Sequence, residues 1–172
     1  TFKIHAGSGA DYPALQGLVI SSNTPLDPHT LKDMFGATSF CVADDETRYS
    51  LNSIYIDPVS LTKDAPPDTI RFVATDGNRL GMIDRILVDW TITKGAMIPS
   101  SGVSEIKKIL DGCQDSVYVS IDNQFFSIMS DGVILAVRLN SGEYPDYTLA
   151  LPKEIVSSAT FNREALLSAV KR

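Results

Sequence analysis

The sequence predicts an α+β domain in which two amphipathic helices pack on antiparallel β-sheets. Three observations carry this. A helix followed by three strand-like runs occurs twice in succession. The later runs are joined by tight turns at Asp122-Asn123 and Asp131-Gly132, as antiparallel hairpins prefer. The 172 residues are 44% hydrophobic and 21% charged, the balance of one ordinary globular domain.

The first helix is announced by Asp27 as N-cap and Pro28 at the first helical position. Leu31, Met34, Phe35 and Thr38 then recur at helical spacing. Strand-like runs follow at 49–56, 69–75 and 81–87, and a linking strand at 96–98 leads to Pro99. The second helix carries Val103, Ile106, Ile109 and Leu110 on one face, with Glu105, Lys107 and Lys108 off it, and stops at Asp111-Gly112. Ser100-Ser101 reads as its cap. Strand runs at 116–121, 124–130 and 133–139 complete the second half, and a third helix signal begins at Asn162.

Composition narrows the function. Lys and Arg number 15 against 21 Asp and Glu, a formal charge of -6, which excludes a generally basic nucleic-acid binder but leaves room for a local basic stripe. No apolar run approaches the roughly 20 residues of a membrane helix, and nothing at the start reads as a signal peptide. Cys41 and Cys113 share no metal-type spacing, so a reducing, cytoplasmic setting without metal or disulfide is expected. With only two histidines, His5 and His29, most His-based catalysis is disfavoured.

A repeat sets the expected boundaries. Tyr12-Pro13 and Tyr144-Pro145 lie 132 positions apart, and each precedes a short apolar stretch, a polar stretch and a helix signal. This predicts one complete unit at 18–150, the tail of a preceding unit at 1–17 and the first helix of a following one at 151–172. Thr1 and the final Lys171-Arg172 read as cut ends.

Individual motifs are quieter. Asp76-Gly77, within Ala74-Thr75-Asp76-Gly77-Asn78-Arg79-Leu80, reads as a hairpin turn that also sets Arg79 beside small and apolar groups, a candidate binding lip. Asp44-Asp45-Glu46 reads as a solvated loop, for want of partners for a metal or acid/base role. Ser100-Ser101 has no base beside it, so no catalytic residue, cofactor or metal is expected. Cys41 reads as core. Cys113, after Asp-Gly, is expected to be partly exposed. Trp90 is either an interface residue or packed on its own domain. Lys32, Lys107, Lys108 and Arg163 lie on the helices, most acids in turns and strands. Ordinary helix decoration explains this as well as a phosphate-facing surface does.

Five segments together resemble one family. They are Arg48-Tyr49-Ser50-Leu51-Asn52; Val73-Ala74-Thr75-Asp76-Gly77-Asn78-Arg79-Leu80; Ile98-Pro99; Arg138-Leu139-Asn140-Ser141-Gly142-Glu143-Tyr144-Pro145-Asp146-Tyr147; and Phe161-Asn162-Arg163-Glu164-Ala165-Leu166-Leu167. In order and spacing they resemble the bacterial sliding clamp, the β subunit of DNA polymerase III, over essentially the whole chain. The resemblance implies the DNA-clamp fold, with two helices on two sheets and an internal pseudo-twofold. It implies a non-enzymatic processivity factor for DNA replication and repair, acting as a homodimer ring closed head-to-tail around duplex DNA. Basic helix faces would line the hole and meet phosphates without reading sequence. On this basis Arg48, Tyr49, Lys32, Lys107 and Lys108 are the expected DNA contacts.

The resemblance also implies a hydrophobic groove that takes a short peptide motif from polymerase, clamp loader and repair proteins. This chain's share would be Leu51, Thr75, Gly77, Asn78, Arg79, Leu80 and Pro145, with Leu51 and Leu80 as the apolar floor and Arg79 as the polar edge. Two departures stand out. Asn78 occupies a position where the family often has His. Ser100 and Ser101 stand where the family can carry basic residues, and Asp44, Asp45 and Glu46 add negative charge near the presumed DNA path. The alternative is a stand-alone peptide-binding module; a hydrolase or transferase built on Asp76 and the Asp44–Glu46 loop ranks last.

Overall fold

A computed structural model of the chain describes residues 7–9, 25–59, 65–88, 90, 92–152, 154 and 156–171. The elements run β1 (Pro25–Leu26), α1 (Pro28–Ser39), β2 (Ser53–Asp57), β3 (Thr69–Thr75), β4 (Leu80–Ile86), β5 (Ala96–Pro99), α2 (Ser100–Gly112), β6 (Val117–Ile121), β7 (Phe125–Ser130), β8 (Val133–Arg138), a 3-10 turn (Tyr147–Ala150) and α3 (Arg163–Val170).

The strands form two four-stranded antiparallel sheets, ordered β4-β3-β2-β5 and β1-β6-β7-β8. The two halves of the chain exchange their leading strands. β1, which precedes α1, pairs with β6 of the second half, and β5, which precedes α2, pairs with β2 of the first. A backbone bridge between Met97 and Asn140 joins the end of β8 to β5. This is the pseudo-twofold arrangement that the family resemblance implies, and the helix–three strands repeat is its counterpart in sequence.

The helix signals hold for physical reasons. Asp27 accepts hydrogen bonds from the His29 and Thr30 amides, satisfying donors that a helix start leaves free. Leu31, Met34, Phe35 and Thr38 are all buried. The Thr38 hydroxyl donates to the Met34 carbonyl at 2.9 Å, which lets a polar side chain sit in the core. The core joins both halves: Phe35 of α1, Phe72 of β3 and Phe126 of β7 are fully buried, with edge-to-face contacts of 4.9 and 6.3 Å from Phe35. Asp131 and Gly132 both have positive φ, 50° and 76°, as a two-residue hairpin turn needs.

Several expectations are corrected. The strand expected at 49–56 starts at Ser53, because the Arg48 carbonyl accepts the Leu51 and Asn52 amides and folds 48–52 into a turn. The two-residue turn expected at 122–123 is displaced by one position: the Asp122 amide donates to the Phe125 carbonyl at 3.0 Å across Asn123-Gln124, and the Asp122 carboxylate accepts the Gln124 and Phe125 amides. Ser100 does not cap α2. Pro99 is the cap residue, without a side-chain bond, and the Ser100 hydroxyl donates instead to Asn52 Oδ1 at 2.8 Å. Cys113 is buried, with the Ser130 hydroxyl directed at its sulfur at 3.0 Å. Trp90 is 3% exposed and belongs to the core of its own domain. Cys41 is core as expected. Tyr12-Pro13 lies outside the described residues, whereas the helix expected from Asn162 is present as α3, exposed along its described length.

Candidate functional site

Three segments far apart in sequence meet beside the outer face of the first sheet. The first is the 48–52 turn. The second is the β3–β4 hairpin tip. Its Asp76 carboxylate accepts the Asn78 and Arg79 amides at 2.9 and 3.0 Å and the Arg79 guanidinium at 2.8 Å. These donors, the Arg79 and Asn78 amides first, pull the Asp76 carboxyl down to about 2. Gly77 has a φ of 95°, a left-handed turn conformation that side chains resist, and Thr75 braces the tip by donating to the Arg79 carbonyl at 2.7 Å.

The third segment is the chain after β8. Asn140 donates from its side chain to the Tyr49 carbonyl at 2.9 Å, and Ser50 donates to the Glu143 carbonyl at 3.3 Å. The Tyr144 ring stacks on Tyr55 of β2 with centroids 4.8 Å apart and planes at 4°. Burial pushes the Tyr144 phenol up to about 12, with the Thr75 backbone acting in the opposite sense. Arg48 closes the triangle. It donates to the Asp76 carbonyl at 3.3 Å and lies against Gly77, where a Cβ would come within 3.5 Å of its Nη2.

The seven expected groove residues all come from these three segments. Leu51, Thr75 and Leu80 are half-buried; Gly77, Asn78, Arg79 and Pro145 are exposed. Thr75 and Leu80 are register partners, so both side chains belong to one face of the sheet. The arrangement offers a partly apolar ledge flanked by turn backbone and one guanidinium, which suits an extended chain better than bond-making chemistry. Among the described residues no group of three or more His, Cys, Asp or Glu is placed to hold a metal ion, and no helix is long and apolar enough to cross a membrane.

The expected DNA-facing cations are less free than their positions suggested. Lys32 pairs with Asp111 at 2.6 Å and Lys108 with Glu105 at 2.7 Å, while Lys107 donates to the Ser39 hydroxyl at 3.3 Å. Tyr49 is 70% exposed. In the acidic loop, Asp45 accepts the Thr47 hydroxyl and amide, which hold its carboxyl below the usual range, so that loop keeps its charge. Sequence reasoning missed Arg85, which with Lys32 and Lys107 borders a shallow depression of about 500 Å³ between α1 and β4. Strand alternation from Gly81, which abuts α1, was the signal available for it.

A family model described as "DNA polymerase III beta subunit, central domain" matches residues 25–146. The chain is 29% identical to the beta sliding clamp of Chlamydia muridarum over 99% of its own length and 45% of that relative. It is 28% identical to that of Escherichia coli K12 over 88% of its length and 40% of the relative. It thus spans less than half the length of the curated relatives it matches. Among solved structures, the sliding clamp of Bartonella birtlesii bound to griselimycin superposes with a TM-score of 0.79 at 27% identity, covering 95% of this chain and 43% of that one. The Caulobacter crescentus pol III beta structure gives 0.77 at 23% identity over 86% and 39%, a likeness of fold.

Proposed function

The chain belongs to the DNA polymerase III beta subunit family, and on that premise we propose that it is the middle part of a non-catalytic processivity factor. Residues 18–150 are the complete middle domain, 1–17 the tail of a first and 151–172 the start of a third. In the longer protein, two copies close head-to-tail around duplex DNA. α1 and α2 face the phosphates through Lys32, Lys107 and Lys108, with Arg48 and Tyr49 nearby. Such contacts are sequence-blind and salt-dependent, and enclosure makes high affinity unnecessary. DNA polymerase, clamp loader and repair proteins dock by a short peptide on the ledge of Leu51, Thr75, Gly77, Asn78, Arg79, Leu80 and Pro145.

One observation carries this reading: the 48–52 turn, the 75–80 tip and the Tyr144-Pro145 segment, which the resemblance assigns to one groove, are tied together by Arg48, Ser50 and Asn140. The test is anisotropy titration of a labelled clamp-motif peptide against the full-length chain. Leu51→Asp or Leu80→Asp, each placing a carboxylate on the apolar floor, is expected to weaken binding by roughly thirtyfold or more, as loss of a central anchor does. Unchanged affinity in both variants would reject the groove.

A further inference from the structure

The segment carrying Pro145 has no strand of its own to hold it, yet it is fixed over the outer face of the first sheet. Past the Tyr144–Tyr55 stack, the Tyr147 phenol donates to Asp57 on β2. Arg71 on β3 donates from Nη1 to the same phenol oxygen at 3.3 Å. Arg71 is itself held by a two-pronged pair to Asp84 on β4, at 2.6 and 2.7 Å. Asp57 and Arg71 are register partners, as are Arg71 and Asp84. Three adjacent strands therefore converge on a single tyrosine, which is 8% exposed: β2 directly through Asp57, and β3 and β4 through the half-buried Arg71 guanidinium. Asp146, between Pro145 and Tyr147, accepts the Thr148 amide and hydroxyl and starts the 3-10 turn, so little slack separates the anchor from the groove.

We infer that Tyr147, Arg71, Asp57 and Asp84 are positioning residues that set the third wall of the peptide groove. They hold Pro145 at a fixed distance from the Thr75–Leu80 hairpin without touching the peptide themselves. A docked peptide thus meets a wall ordered in advance and does not have to order it on binding, a cost that otherwise reduces affinity. The inference rests on the groove proposed above and names what makes it rigid.

The experiment compares Tyr147→Phe, Arg71→Lys and Leu80→Asp in the full-length chain, with a labelled clamp-motif peptide as probe and amide hydrogen exchange as a second readout. Tyr147→Phe keeps the ring and its packing but loses the hydroxyl. It is expected to weaken the peptide by about three- to tenfold, the range for one ordinary net hydrogen bond, mainly through faster dissociation. Exchange at residues 143–150 rises, while β3 and duplex DNA binding stay unchanged. Arg71→Lys keeps the charge, loses the fork and gives the same pattern. A merely structural role would lower the melting temperature and leave affinity at 25 °C untouched, and that result overturns the inference. Unaltered exchange at 143–150 in Tyr147→Phe overturns it as well. If Leu80→Asp binds the peptide normally, the groove has failed and the inference falls with it; if Leu80→Asp abolishes binding and Tyr147→Phe does not weaken it, only the inference falls.

Discussion

Lys32 of α1 and Asp111 at the end of α2 form an ion pair of 2.6 Å that spans the two helices. Both side chains are about half exposed, so the pair adds little stability. Its effect is on the cation available to phosphate. Asp111→Asn removes the competing carboxylate. The variant is expected to bind linear duplex DNA about two- to threefold more tightly at low salt, a difference that fades as salt rises. The unaltered chain of 172 residues is expected to bind the same duplex weakly and salt-sensitively. Fluorescence anisotropy across a salt series measures both. Equal affinities at low salt would remove Lys32 from the DNA-facing set.

Asn52 joins the two halves where the 48–52 turn meets the start of α2. Its side-chain amide donates to the Ala43 carbonyl at 2.5 Å, and its oxygen accepts from Ser100 at 2.8 Å. Asn52→Ala leaves both partners without their bond in a part-buried setting. A loss of about 1–3 kcal/mol is expected in urea unfolding. Asn52→Asp keeps the acceptor for Ser100 but faces Ala43 with a carboxylate, so it is not expected to restore stability.

Gly102 lets α2 approach β8 closely. A Cβ there would stand 2.2 Å from Val137 Cγ1. Gly102→Ala gains about 1 kcal/mol of helix propensity and loses about 1–3 kcal/mol to overpacking, so a modest net loss is expected. Val137→Ala is then expected to cost less when combined with Gly102→Ala than alone, a coupling that a double-mutant cycle in urea reads directly. Independent, additive effects would mean that the helix shifts and does not press on Val137.

The hairpin tip carries its own pH signature. Asp76, pulled from 3.8 to about 2 by the Arg79 and Asn78 amides and the Arg79 guanidinium, favours the folded turn when ionised. A depressed carboxyl contributes fully above its unfolded value and loses that contribution as pH falls through its folded one. The tip is therefore expected to stay ordered above about pH 4 and to loosen towards about pH 2. Carboxyl carbon shifts followed by NMR check this; a midpoint near the unshifted value of 3.8 would show that the amides do not hold Asp76.

Much of this was legible in the residues, for reasons that divide by sequence range. α1 was readable because its cap, its proline and its apolar face lie within a dozen positions. The Asp131-Gly132 hairpin was readable because two adjacent residues can supply both positive φ angles. β1 was not, since Pro25-Leu26 is too short to show alternation and pairs with Val117 and Tyr118 from the other half. The 49–56 run looked strand-like because Tyr49, Leu51 and Ile54 favour strands locally, whereas one carbonyl, that of Arg48, folds its start. Ser100 looked like a cap because its true partner, Asn52, is 48 positions away. The proposed groove residues were named from family resemblance, and composition alone left the Asp76-Gly77 segment an ordinary turn. Arg71 and Tyr147, 76 positions apart, had no local sign of meeting.

The exchange of leading strands has a consequence for synthesis. As the chain leaves the ribosome, β2, β3 and β4 emerge with an unfilled edge until β5 arrives, and β1 waits for β6. A cut before β5 leaves neither piece self-sufficient, because each carries away a strand the other needs. Folding of this unit is thus deferred until nearly all of it has been translated, and such distant pairings make the event slow.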